Sequence, residues 1–315
     1  MINLRYHVVS LAAVFLALTI GIVMGSTVID RAIVDGLRDR VESVDRRAND
    51  VDRQNRELRD QLDLMRGFAD QARDQLVKGR LRGTPVLVVT VQGVNRKPVE
   101  ELRETLAAAE ATPAGTLLFT NKLRLDNDND VRALAQAVNT NPSAGAETVR
   151  RLALTRLASV LDGATPESSL IPALAAAGFV GYEPPAPATT TTTLGLASFP
   201  VAGLRVVLVS GAGAEVGDDR LAAPFAQALV GPGSPASARL VAAESGQDTP
   251  GGRGVFVGLL RADGSLAPKL STVDNLESPI GQAAAALAID DLAVPRTGNY
   301  GLGANAQRLL PPVEP

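Results

Sequence analysis

The stretch LRDRVESVDRRANDVDRQNRELRDQLDLMRGFADQARDQL, residues 37–76, decides how this chain is organised. Apolar or small residues fall at Leu37, Val41, Val44, Ala48, Val51, Leu58, Leu62, Met65, Ala69, Ala72 and Leu76, and the polar Asn55 takes the one remaining place in the series. The steps alternate between four and three, a seven-residue period that marks a left-handed coiled coil. With Val41, Ala48, Asn55 and Leu62 at heptad position a, Val44, Val51, Leu58 and Met65 occupy d. An Asn buried at a pairs best with the same Asn across a parallel two-stranded axis, fixing register at some cost in stability. In this frame Arg40 faces Asp45 of a second copy and Arg47 faces its Asp52, as g-to-e′ pairing in a parallel dimer requires. Each such exposed pair contributes at most about 1 kcal/mol, so the charges bias orientation more than they hold the dimer. The alternative, an amphipathic helix lying on its own domain, seldom keeps an unbroken heptad period over this length.

Working back toward the N-terminus, residues 8–29 run without a charge and are rich in Val, Leu, Ile and Ala. At 1.5 Å per residue they reach roughly 33 Å, about the thickness of a hydrocarbon core. Arg5, His7 and the amino terminus precede this run, and the positive-inside tendency holds them in the cytoplasm with the rest of the chain outside. A cleaved signal peptide is the competing reading, but its apolar region is usually about 7–15 residues long. Ala13, Ala17, Gly21 and Gly25 recur every fourth residue and make a stripe where a partner helix backbone can come close.

Working forward, the pattern changes after Gly79. Thr84–Val91 (TPVLVVTV) reads as a buried strand, residues 97–109 as an amphipathic helix and residues 116–120 as a second strand, the order of a parallel pair with a crossover helix. Further helices are expected at 130–139, 147–162, 168–177, 220–230 and 279–292, and further strands at 205–210 and 238–243. The predicted fold is therefore an open, mostly parallel, Rossmann-like α/β domain. A Pro- and Thr-rich loop or linker at 183–193 (EPPAPATTTTT) either separates two domains or interrupts one, and interruption of one is the preferred reading. The expected layout is a cytoplasmic tail at 1–7, a membrane helix at 8–29, a stalk at 30–80 and the α/β domain at 81–315.

Composition narrows the chemistry. The chain has no Cys and one His, His7, which removes thiolate metal sites, cysteine nucleophiles and almost every His-based mechanism. With 31 basic against 34 acidic residues there is no general attraction to nucleic acid, and no such partner is expected. Asp126, Asp128 and Asp130 open like a calcium loop, but Val131 and Ala137 stand where Gly and Glu are needed, so capping of a helix is the better reading. Gly211, Gly213 and Gly217 follow a strand in a GxGxxxG spacing, and Glu215, Asp218 and Asp219 would repel a pyrophosphate, so a tight turn is expected there. Thr272, Asp274 and Asn275, followed by Ser278-Pro279, form a polar strand end before a capped helix and are candidates to line a pocket. No catalytic set, resident cofactor or metal site is expected.

Asn3-Leu4-Arg5-Tyr6-His7 leading into VVSLAAVFLALTIGIVMGS resembles the actinobacterial MctB family, the mycobacterial copper transport protein B type, also called SteB. STVDN at 271–275, the Ala-rich helix after it and Asn299-Tyr300-Gly301 also resemble that family, and the likeness covers the whole chain. The resemblance implies a cell-envelope protein linked to copper efflux or resistance, described as pore-forming in an outer membrane. It also implies a second account, in which a membrane partner joins the protein to control a peptidoglycan hydrolase. Copper(I) prefers thiolate and thioether ligands, and this chain offers only Met1, Met24 and Met65, so no copper relay is visible. A β-barrel needs strands of about 10 residues with aromatic girdles, which three Tyr and no Trp do not supply. The reading from the residues is a non-enzymatic scaffold, a parallel homodimer whose partner is another cell-envelope membrane protein.

Overall fold

A computed structural model describes residues 4–163, 169–185, 203–231, 239–246, 255–266, 268–294 and 296–312, with the side chains of 26–35 and 39 excepted. The chain divides into two compact units, Met1–Arg66 and Gly67–Pro315. Helix α1, Leu4–Val77, makes up the described part of the first and continues into the second. Its segment Leu4–Gly25, with mean hydropathy 2.5, is long and apolar enough to cross a membrane. No Pro falls between residues 4 and 77, so every residue there keeps its backbone donor.

The second unit is built on one sheet. Strand β1, Pro85–Val91, is followed by helix α2, Arg96–Ala108, and strand β2, Thr112–Phe119. Helices α3, Asp128–Ala137, α4, Ala146–Leu161, and α5, Leu170–Ala176, lead to strand β3, Val180–Glu183. Then come β4, Arg205–Gly211, α6, Ala222–Val230, β5, Leu240–Ser245, and α7, Phe256–Ala262. The chain closes with β6, Ser271–Val273, α8, Pro279–Asp291, and β7, Asn299–Tyr300. Spatially the strands run β3-β2-β1-β4-β5-β6-β7, all parallel to their neighbours except β3, which is antiparallel to β2. The pairing of β1 with β4 joins strands from both sides of the Pro- and Thr-rich stretch in one sheet. Of that stretch, residues 186–193 lie outside the described residues.

β1 and β4 are buried from their second residue on, as strands covered on both faces should be, and this is why they read as continuous apolar runs. Helix α2 packs on α8, while α4 packs on α6 and α6 on α7. Helix α8 buries Ala283, Ala284, Ala285, Ala286 and Ala288, small side chains that let it lie close to the sheet without aromatic filling. Phe119 and Phe225 meet edge to face, ring centroids 4.9 Å apart, among the few aromatic anchors the composition allows. Arg73, near the end of α1, donates from Nη1 to Gln282 Oε1 at 2.8 Å, and Gln282 Nε2 donates to Glu101 Oε2 at 2.8 Å, so the last turns of α1, α8 and α2 share one polar link.

The sheet differs from expectation at its ends. Strand β2 begins at Thr112, ahead of the apolar run, because the register slips between Val86 and Val88 and brings Pro113 into the ladder. β3, β6 and β7 are four, three and two residues long, too short for a period to show in sequence.

Candidate functional site

The carboxyl ends of parallel strands are where α/β sheets place their sites, above all where the strand order reverses. Here the reversal lies between β1 and β4, and the chain's own turns meet across it. Gly93, at φ 94°, follows β1, and Gly213, at φ 87°, follows β4; a Cβ on Gly93 would collide with the Gly213 carbonyl. Glu215 N donates to the Gln92 carbonyl at 2.8 Å, and its carboxylate accepts from Asn121 Nδ2 at 2.7 Å. Gly211 is thus the last residue of β4 and Gly213 lies in a turn packed against Gly93, with the Glu215 side chain beside it. The acids at 126–130 sit at a helix start: Asn127 Oδ1 accepts from Asp130 N at 2.9 Å, and Asp128 and Asp130 occupy the first turn of α3.

An open cavity of about 300 Å³ lies farther along the same edge, beyond β5 and β6. Its walls include Glu244, Arg261, Asp274, Asn275 and Glu277. Arg261, on α7, is almost entirely enclosed. Its Nε donates to Thr272 Oγ1 at 2.8 Å, Nη1 to Asp274 Oδ2 at 2.7 Å and to the Ala304 carbonyl at 3.1 Å, and Nη2 to the Tyr300 carbonyl at 2.8 Å. Asp274 also accepts from Leu302 N at 2.6 Å and Gly303 N at 2.9 Å. One guanidinium therefore ties β6, β7 and the 300–304 turn together, with its hydrogen bonds directed at fixed acceptors.

Two of the three residues singled out from the sequence line this cavity. Asn275 turns the chain at φ 61° and its Nδ2 donates to Ser278 Oγ at 2.9 Å, while Ser278 Oγ accepts from Gly281 N at 3.1 Å and caps α8. Thr272 stands behind the wall, donating to Asn299 Oδ1 at 2.8 Å. Arg261, Glu244 and Glu277 were not expected. The signal for Arg261 was a single charge in the otherwise apolar FVGLLRA.

Glu244 is buried, and its Oε2 accepts from Val257 N at 2.7 Å. Burial pushes its carboxyl above the ordinary range, only partly offset by that bond. Asp218, held by Ser210 Oγ at 2.5 Å, is raised by burial in the same way. A carboxyl raised in the fold favours the protonated state, so stability is greatest below the ordinary carboxylate pKa and declines as pH rises toward the folded value. Glu244→Gln keeps an acceptor for the Val257 amide and removes the charge. It raises the midpoint of thermal unfolding at pH 7 and weakens the gain that the wild type shows on going to lower pH. Circular dichroism melts at the two pH values check this, and an unchanged or lower midpoint contradicts it.

Among the described residues no group of three or more His, Cys, Asp or Glu is placed to hold a metal ion. Four of the five N–H groups of Arg261 already have acceptors within the fold, so the cavity offers an anion little.

The residues expected to act outside the domain sit on α1. Ala13, Ala17, Gly21 and Gly25 share one stripe of it, and a Cβ on Gly21 or Gly25 would meet open space. Asn55, Arg40, Asp45, Arg47 and Asp52 are exposed, and among the described residues those four charged side chains have no ion pair within the chain. Leu37, Val41, Val44, Val51, Leu58 and Leu62 are each more than half exposed, an apolar seam that one chain leaves uncovered.

Comparison with known proteins agrees over the full length. The chain is 28% identical to a copper transporter MctB of Mycobacterium tuberculosis, covering 97% of this chain and 98% of that protein. It is 29% identical to the copper transporter MctB of Mycobacterium leprae, covering 99% and 100%. Residues 1–311 match the family described as copper transport outer membrane protein, MctB, and the chain belongs to that family.

Proposed function

We propose that this protein is a membrane-anchored, non-enzymatic scaffold of the cell envelope, serving copper transport as its relatives' names describe. It works as a parallel homodimer: residues 8–29 span the membrane, the N-terminus faces the cytoplasm, and the stalk and α/β domain stand outside. The observation that carries this reading is the seam from Leu37 to Met65, an exposed apolar row in heptad register with a single Asn within it. A row of that kind is stabilised by a second copy of itself, at roughly 25 cal/mol for each Å² of apolar surface removed from water.

Copper handling through the chain's own ligands has little support in the side chains. His7 and Met24 belong to the anchor region and Met65 to the seam, and no Cys exists to form a relay. The α/β domain therefore serves copper transport by engaging another envelope membrane protein. The test is single-channel recording on the pure full-length protein in planar bilayers, with copper(I) and copper(II) as permeant ions. A scaffold gives no conductance alone; reproducible copper conductance from the pure protein would sink the reading.

A further inference from the structure

Helix α2 does not fill the sheet face it covers. Beside it runs a groove floored by Val88 and Thr90 of β1, Thr116 and Leu118 of β2, and Gly181 of β3. Val88 stands level with Thr116 and Thr116 with Glu183; Thr90 stands level with Leu118 and Leu118 with Gly181. The groove has two lobes, about 410 and 510 Å³, which share Glu100 and Arg103 of α2 as a wall. Arg103 Nη1 pairs with Glu183 Oε1 at 3.0 Å between them.

Two observations say what fits. Arg96, at the start of α2, lines the first lobe and, among the described residues, has no ion pair. The second lobe is largely apolar, walled by Val86, Leu106 and Pro113. From Val86 to Val91 the groove is roughly 17 Å long, room for five or six extended residues. Its rim carries both signs of charge, which favours neutral amide groups along most of its length.

We propose that this groove binds an extended peptide segment of another envelope protein. An acidic residue of the segment pairs with Arg96, and an apolar side chain lies over Val86 and Leu106. The inference rests on the scaffold reading for its partner and names where that partner is held.

The test is selection of a random octapeptide library on the full-length protein in detergent. Enriched peptides should carry Asp or Glu a few positions from Val, Leu or Ile. Gly181→Leu fills the floor, where a Cβ finds only ordinary contact with Leu118, at 3.6 Å, and should weaken binding by roughly tenfold or more. Arg96→Glu should turn the preference from acidic to basic peptides. No enrichment over the Gly181→Leu chain, or a charge preference that Arg96→Glu leaves unmoved, overturns the proposal. Capture of the envelope partner in cells that survives Gly181→Leu would also overturn the groove assignment while leaving the scaffold in place.

Discussion

Arg261→Ala lowers the melting temperature of the α/β unit by roughly 10 °C, more than any other single truncation near the carboxyl edge of the sheet. The side chain is 2% exposed and serves acceptors on β6, on β7 and in the turn at 300–304. Removing it leaves Asp274 without its buried counter-charge, and breaking a buried pair from one side costs about 3–5 kcal/mol. In a unit of this size each kcal/mol moves the midpoint by roughly 2–4 °C. Thermal unfolding followed by circular dichroism decides the matter. A shift below about 2 °C would mean that water replaces the guanidinium and that β7 is not held by it.

Leu58→Asp converts the full-length protein in detergent from dimer to monomer, read as a halved protein mass in sedimentation. Leu58 lies at d, one step from Asn55, near the middle of the seam. In a parallel pair the two introduced carboxylates face each other out of water, where like charges repel and neither finds a partner. The α/β unit keeps its own melting transition, because Leu58 belongs to the other unit. A dimer of unchanged mass would move the interface away from the seam.

The apolar N-terminal helix and the heptad spacing were legible because each depends on a long pattern: composition over twenty residues in one case, seven-residue spacing over forty in the other. Strands β1 and β4 were legible for a related reason, since burial on both faces makes the whole strand apolar. Strand β3 was hidden. Val180–Glu183 holds a glycine and a glutamate in four residues, and nothing local says that it runs against β2. At the cavity, Asp274 and Asn275 were visible because a capped helix starts behind them, with Ser278 at its cap and Pro279 in its first turn. Arg261 was not, because its importance comes from contacts with residues 272, 274, 300 and 304, brought to it only by the packing of α7 on the sheet. The groove along α2 was equally invisible, being an absence of side chains above Gly181 rather than a motif.

The central claim is that two copies run side by side, in register and in the same direction. The chain contains no cysteine, so one introduced thiol reports on itself alone. Oxidative cross-linking in intact cells of single-cysteine forms Asn55→Cys and Asp60→Cys provides the most direct measurement. Position 55 lies at the seam and position 60 on the outer face of the same heptad, so the account predicts a disulfide dimer from the first and almost none from the second. Equal cross-linking at both positions, or none at position 55, would contradict it.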